Sequence, residues 1–186
     1  MPHETDPLAL TRSWVERVVI GLNLCPFAKA VQARGQVRYR LSSATTAAAL
    51  LLELEDELKS LQAADPALVD TSLLVHPHVL QDFHDYNDFL ADADAQLARL
   101  GLEGELQIAS FHPDYCFADS TPDDLANYSN RSPFPLLHLL REASVSRAVD
   151  AFPDTARIYE RNIATLRALE PGAVQRLLRE HDPEQD

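Results

Sequence analysis

Glycine and cysteine are scarce in this chain, and each scarcity excludes a class of protein. Only five glycines occur among 186 residues, and none has the spacing of a phosphate-binding or dinucleotide-binding loop, so the chain carries no nucleotide fingerprint. The two cysteines, Cys25 and Cys116, are too few for a disulfide scaffold at this length. We therefore expect free thiols rather than a bridged framework, with a single Cys25–Cys116 bridge as the less favoured alternative.

Basic residues are also few, since 16 Lys and Arg stand against 29 Asp and Glu and the formal net charge is −13. This balance argues against general binding of nucleic acid or of an anionic membrane surface, because both need concentrated positive charge. No apolar run is long enough to cross a bilayer, and the first residues lack the basic and apolar regions of a secretory signal. The expected location is the cytoplasm, and the oligomeric state stays open.

The hydrophobic share of 46% and the length predict one domain over residues 1–186, with polar ends at about 1–6 and 181–186. Apolar spacing predicts helices over 8–21, 42–61, 79–100, 135–149 and 155–169, a short helix from Pro26, and strands over 37–41, 71–75 and 105–111. This order favours an α/β fold with a small three- to four-stranded, mostly parallel sheet, covered by helices and followed by two further C-terminal helices. A ferredoxin-like α+β arrangement is the competing architecture.

Two of the predicted strands end in the same dipeptide, His-Pro. His76 follows the second strand and His112 follows the third. If the strands are parallel neighbours, both histidines lie at the carboxyl edge of the sheet, where open α/β sheets bind ligands. Ser42 and Ser43 follow the first strand and would arrive at the same edge. The alternative is that His-Pro only terminates a strand.

The segment 111–142 is unusually polar for a connection between a strand and a helix, which is typical of a functional loop. His112 can transfer a proton near neutral pH, and Asp114, two residues on, could fix its tautomer. Arg131 lies shortly before the helix predicted from Pro135. A guanidinium beside a helix N-terminus can bind a carboxylate or a phosphate.

Further candidates complete this predicted site. His138, if it faces His112, would be a second proton carrier, and Cys25 near the start of the short helix could be a nucleophile. The polar side chains predicted to bind a substrate are Asn23, Asn127, Asn130, Arg131 and Arg141. These candidates also have structural interpretations: residues 127–131 as a turn, Cys25 as a core thiol, and His138 and Arg141 as helix-surface contacts.

A metal site is the alternative use of the same residues. His138 and Glu142 are four apart on the predicted helix, and His112 and His76 would supply further imidazoles. With Glu142 or Cys25 added, such a set would suit zinc, iron or copper. No pair has the tight spacing of a CxxC or HExxH motif, so no cofactor is assigned.

Three phrases together resemble one family: WVERVVIGLNLCPFA at residues 14–28, FHPDY at residues 111–115, and NYSNRSPFPLLHLLREASV at residues 127–145. The chain is similar over nearly its whole length to the bacterial family known as domain of unknown function 1415. The resemblance implies a bacterial cytoplasmic protein and no established activity. It gives weight to motif positions Cys25, His112, Asn127, Asn130, Arg131, His138, Arg141 and Glu142, while Cys116 departs from the usual wording.

Three hypotheses for the function follow. The first is an enzyme that acts on a small anionic metabolite by histidine acid/base chemistry. The second is a metal-binding protein or metalloenzyme. The third is a binding module without chemistry. The positions of His112, His138, Arg131 and Cys25 relative to one another discriminate among them.

Overall fold

The chain forms a four-stranded sheet with helices on both faces, seen in a computed structural model that describes residues 6–151, 155–170 and 172–179. Residues 1–5 and 181–186 of the predicted polar ends therefore lie outside the described residues. The helices are α1 (Pro7–Trp14), α2 (Ala28–Ala33), α3 (Ala47–Ala63), α4 (Phe83–Arg99), α5 (Glu142–Ala151), α6 (Thr155–Arg167) and α7 (Ala173–Arg179). The strands are β1 (Val37–Leu41), β2 (Thr71–Val75), β3 (Leu106–Phe111) and β4 (Leu136–Arg141).

The strand order is β1-β2-β4-β3, with β1 and β2 parallel and β4 antiparallel to both of its neighbours. The predicted α/β class is confirmed, but the description of the sheet as mostly parallel is not exact, because one of the three strand pairs is parallel. β1, β2 and β3 all run in the same direction, since β2 and β3 both oppose β4. This is not the all-antiparallel sheet of the ferredoxin-like alternative.

The predicted helix over 135–149 is wrong in its first half. Residues 136–141 form β4, and only α5 from Glu142 onward is helical. Leucine favours helices, and the short apolar run Leu-Leu-His-Leu-Leu fits a buried helix as well as a buried strand. Position in the sheet decides, because β4 lies between two strands and pairs with each along its length.

Capping side chains set the starts of the two helices that pack on one face of the sheet. Thr46 accepts a hydrogen bond from the amide of Ala49 at the start of α3. Asp82 accepts from the amides of His84 and Asp85 at the start of α4. Both helices therefore start four or five residues later than the sequence predicts. The freed segments, 42–46 and 76–82, become loops at the carboxyl edge of the sheet.

The two faces of the sheet bury separate hydrophobic clusters. The α3–α4 face packs leucines of α3 and Tyr86 of α4 against Leu74, Leu137 and Leu139. The other face packs Trp14 and parts of α6 and α7 against the sheet. The helix predicted over 8–21 is confirmed as α1 followed by a π-helix at Val15–Ile20. Among the described residues, no helix is both long enough and apolar enough to cross a membrane.

Candidate functional site

His76 and His112 meet at the carboxyl edge of the sheet, as their strand ends predict. Val75 and Phe111 both pair with Leu136, so the two histidines follow on either side of β4. The ring of Tyr86 lies between them, with its centroid 5.8 Å from that of His76 and 5.1 Å from that of His112. The strands are not neighbours, but their common direction is enough to bring both imidazoles to the α4 side.

His76 is completely buried and only half satisfied. Its Nδ1 lies 3.1 Å from the carbonyl oxygen of Val79, and a carbonyl can only accept, so Nδ1 carries the proton. Nε2 is then a bare lone pair, and it has no hydrogen-bond partner among the described residues. Burial lowers the pKa of His76 to about 4. The ring is therefore neutral at physiological pH, with a fixed tautomer and one free acceptor.

His112 has the opposite tautomer, and both of its nitrogens are occupied. The backbone amide of Asp114 donates to Nδ1 at 3.0 Å, so Nε2 carries the proton and donates to the carbonyl of Leu80 at 3.2 Å. Burial lowers the pKa of His112, against the attraction of the nearby carboxylates of Asp114 and Asp82. Asp114 thus orients the ring through its backbone amide, whereas the sequence predicts that its carboxylate fixes the tautomer.

Tyr86 is a central residue of this cluster that the sequence did not single out. Its hydroxyl donates to the carbonyl of Leu136 at 2.8 Å and accepts from the amide of Phe111 at 3.0 Å. Burial raises the pKa of Tyr86 well above its usual value. The only sequence signal is its place on the apolar stripe of α4 with Phe89 and Ala93, which looks like ordinary core. Tyr86 therefore fixes the ends of β3 and β4, and both histidines pack against its ring.

The two serines after β1 arrive at the same edge, as predicted. The amide of Ser42 donates to the carbonyl of Val75 at 2.8 Å, which continues the β1–β2 pairing by one step. Its hydroxyl accepts from the amide of Ala44 at 3.1 Å. Ser43 bonds to the carboxylate of Glu53 on α3 through both its amide and its hydroxyl. This end of the sheet therefore combines buried hydroxyl, imidazole and phenol groups.

Arg131 does not lie beside a helix N-terminus, because the helix predicted from Pro135 is strand β4. Its guanidinium instead donates from Nε to the carbonyl of Tyr115 at 2.9 Å and from Nη2 to the carbonyl of Pro122 at 2.8 Å. It also lies over the ring of Tyr128, at 5.0 Å from the centroid. These contacts make Arg131 a clamp that closes the polar segment upon itself.

Asn127 and Asn130 are occupied in the same way. The amide side chain of Asn127 is buried and bonds to the backbone of Phe117 and Thr121. Asn130 donates to the carbonyl of Ser110 at 3.1 Å, and its own carbonyl accepts from the amide of His112. Both asparagines therefore bind the segment to itself and to the outer edge of β3.

His138 lies on the opposite face of the sheet from His112, so the predicted pairing of these two residues is wrong. It is in the middle of β4, where Nε2 is 2.7 Å from the hydroxyl of Thr71 and the ring packs 6.1 Å from that of Phe111. Thr71 donates to the carbonyl of Leu139, so its oxygen accepts from His138. Burial lowers the pKa of His138 to about 4. The ring is a neutral structural group.

Arg141 and Glu142 lie at the far end of β4, which is the edge of the sheet opposite His76 and His112. Arg141 donates to the carbonyls of Leu61, Ala64 and Val69, and so closes the end of α3 and the loop after it. Glu142 begins α5, so its predicted helical spacing from His138 is absent. The set His76, His112, His138 and Glu142 is therefore not assembled. Within the described residues, no group of three His, Cys, Asp or Glu side chains could hold a metal ion.

Cys25 and Asn23 lie in the turn between the π-helix and α2. Asn23 has a positive φ of 53°, and α6 holds this turn through bonds to the carbonyls of Asn23 and Leu24. The first helical residue of α2 is Ala28, so Cys25 lies three residues before it rather than at its first turn. Both Cys25 and Cys116 are free thiols, in agreement with the prediction.

Comparisons with known proteins add a family but no activity. Searches of curated proteins and of solved structures find no match to this chain. A family model described as "Protein of unknown function (DUF1415)" matches residues 7–176 and includes all of the elements described above except the last residues of α7. The chain therefore belongs to this family of proteins of unknown function.

Proposed function

We propose that this protein is an enzyme that acts on a small molecule by proton transfer, with His76 as the proton acceptor. Support comes from its position, since the carboxyl ends of the strands are where open α/β sheets bind ligands. Further support comes from its neighbours, because Tyr86 packs against the ring of His76 and His112 packs against Tyr86, so one side of the His76 ring is occupied. His112 and His138 have the roles of structural histidines in this proposal.

The observation that carries the proposal is the free Nε2 of His76. A buried acceptor without a partner costs about 1–3 kcal/mol, and such groups in native proteins call for a reason. A ligand O–H or N–H would remove this cost. The hydrogen bond from Nδ1 to the Val79 carbonyl fixes the tautomer of His76 and leaves the lone pair on Nε2. The orienting group of a catalytic base has the same role.

The proposal changes the expected substrate. The sequence predicts an anionic substrate because it predicts a helix start beside Arg131, whereas the guanidinium of Arg131 binds two carbonyl groups of the protein. A free imidazole lone pair selects instead for a group that can give up a proton, such as a hydroxyl or an acidic C–H. The substrate class we propose is therefore a small proton donor. A bacterial origin and a cytoplasmic location are part of the same proposal, and the two unpaired thiols support the cytoplasmic location.

The test is proton NMR in D2O with pools of small hydroxy, oxo and amino compounds. The wild-type protein should exchange a C–H or convert at least one compound. His76→Asn, whose amide can still donate to Val79, should lower that rate by about 10–10²-fold, below the contribution of a base whose pKa lies near the operating pH, because burial lowers the pKa of His76 to about 4. The matched control is His78→Asn, two residues away and exposed, which should keep the wild-type rate.

Two results would contradict the proposal. A folded His76→Asn protein with the full wild-type rate would show that His76 is not the base. A wild-type protein that converts none of the compounds would favour the binding module without chemistry. Circular dichroism of each variant separates loss of the base from loss of the fold.

A further inference from the structure

The short loop after His76 is bonded to its buried ring. Residues 77–82 connect β2 to α4, and the carbonyl of Val79 in this loop lies 3.1 Å from Nδ1 of the buried ring. Val79 is buried in this loop, while His78, Gln81 and Asp82 face outward. Because His76 is completely buried, a ligand can reach Nε2 only if some covering element moves. This loop is hydrogen-bonded to the ring at Nδ1, and Tyr86 of α4 stacks on the face of the ring.

Two imidazoles hold the loop through hydrogen bonds to the carbonyl groups of neighbouring residues. Nδ1 of His76 donates to Val79 at 3.1 Å, and Nε2 of His112 donates to Leu80 at 3.2 Å. Leu80 has a positive φ of 56°, which is unfavourable for a branched side chain. The closed loop is thus a conformation that these side-chain bonds maintain against a backbone cost.

The bond from His112 depends on its protonation state. The neutral ring accepts from the amide of Asp114 at Nδ1 while it donates to Leu80 from Nε2. A second proton must go to Nδ1, where the N–H would then face the N–H of Asp114. Two donors cannot share one hydrogen bond, so the ring has to turn or the Asp114 backbone has to move. Rotation of the ring takes Nε2 away from Leu80.

The groups around His112 set the balance of this change. The carbonyl of Leu80 and the carboxylates of Asp114 and Asp82 favour the charged ring, and a charge on His76 would repel it. The aromatic rings of Tyr86 and Phe83 pack 5.1 Å and 5.5 Å from it and keep water away. Burial is the largest influence on the pKa of His112 and lowers it. The neutral form, and with it the closed loop, is therefore favoured at neutral pH.

We propose that loop 77–82 is a lid over His76, latched by His112 and released when His112 takes up a second proton. Only the purpose of the lid, to admit a substrate, rests on the proposed enzymatic function. The latch itself is a property of the free protein and can be tested without any substrate.

The first test is amide hydrogen exchange in the wild-type protein, followed by NMR between pH 7 and pH 4.5 and corrected for the intrinsic pH dependence of exchange. The amide of Asp114 is part of the latch, and its protection should fall about fivefold or more when the His112 ring shifts show titration. The amide of His112 donates to Asn130, outside the latch, and should keep its protection over the same range.

The second test uses two uncharged replacements for His112. His112→Asn keeps an acceptor near the position of Nδ1 but cannot reach Leu80, so the lid should open more often. His112→Gln keeps a donor near the position of Nε2 and should leave the lid closed. Modification of His76 by diethylpyrocarbonate at pH 7, read by peptide mass spectrometry, should be about fivefold faster in His112→Asn than in His112→Gln. The exposed His78 serves as the internal reference for the reagent.

Two outcomes would overturn the latch. One is an Asp114 amide whose protection is unchanged while His112 titrates. The other is a folded His112→Asn protein in which His76 reacts at the wild-type rate. If His112→Asn does not fold, the wild-type titration alone decides. Failure of either test leaves the role of His76 as a base intact, and an inactive enzyme would leave the latch intact.

Discussion

The stability of this protein should fall steeply in mild acid because of histidines that are buried in the neutral form. The pKa of His76 is lowered from 6.5 to about 4 in the folded protein. Between these two values the unfolded chain binds a proton that the folded chain does not. The free energy of unfolding is therefore highest above pH 6.5 and declines as the pH falls toward 4.

The size of the decline follows from the shift. A change from 6.5 to about 4 corresponds to about 3 kcal/mol for His76, and the slope in the middle of the range is about 1.4 kcal/mol per pH unit. His138 shows a shift of the same size, but it keeps part of its surface exposed, so its share is smaller. His112 adds in the same direction. The total is a large part of the 5–15 kcal/mol typical of a domain.

The assay is urea unfolding at several pH values between 4.5 and 7.5, with the slope of the unfolding free energy against pH as the readout. His76→Asn cannot titrate, so its slope should be lower than that of the wild type by about 1.4 kcal/mol per pH unit. His78→Asn makes the same replacement at an exposed histidine two residues away and is the matched control. Equal slopes for His76→Asn and the wild type would refute the assignment of a buried neutral imidazole.

Three further substitutions test the structural roles assigned above, each by urea unfolding at pH 7. Tyr86→Phe leaves the carbonyl of Leu136 and the amide of Phe111 without their shared hydroxyl, so we expect a loss of about 1–3 kcal/mol, and a neutral effect would contradict this bridge. Arg141→Met removes the donors to the carbonyls at the end of α3 and should cost about 1–3 kcal/mol, whereas Arg141→Lys should recover only part of it. Arg131→Lys loses the planar fork that binds two carbonyls at once and should speed proteolysis of the polar segment; an unchanged cleavage rate would show that the clamp is dispensable.

The convergence of His76 and His112 could be predicted because it follows from a local pattern. Each is the first residue after an apolar strand, and a strand that leads into a helical crossover returns in the same direction. Direction alone places both residues at one edge of the sheet. The prediction therefore holds even though β4, which the sequence did not reveal as a strand, lies between them.

The errors at His138, Arg141 and Glu142 all come from one misassigned segment. A helix would have put these side chains on one surface, whereas the strand puts His138 in the middle of the sheet and the other two at its far edge. The local sequence could not decide this, since leucine-rich runs suit both structures. The deciding interactions are with β2 and β3, which are distant in sequence.

The role of Arg131 could not be predicted for a different reason. Its partners are backbone carbonyls of Tyr115 and Pro122, and a carbonyl is present at every residue. Sequence identifies charged and polar side chains as partners for an arginine but gives no sign of which peptide group will be within reach. The free nitrogen of His76 is equally invisible in the sequence, because it depends on what the fold leaves out of contact.

The insertion of β4 between β2 and β3 has a consequence for how the protein is made. The central partner strand is the last to leave the ribosome, so a nascent chain that ends before Leu136 has β2 and β3 with unpaired facing edges. The tyrosine hydroxyl on α4 would also lack its carbonyl acceptor in that chain. Unpaired strand edges are sites of aggregation, so truncated or stalled chains of this protein should depend on chaperones until residues 136–141 emerge.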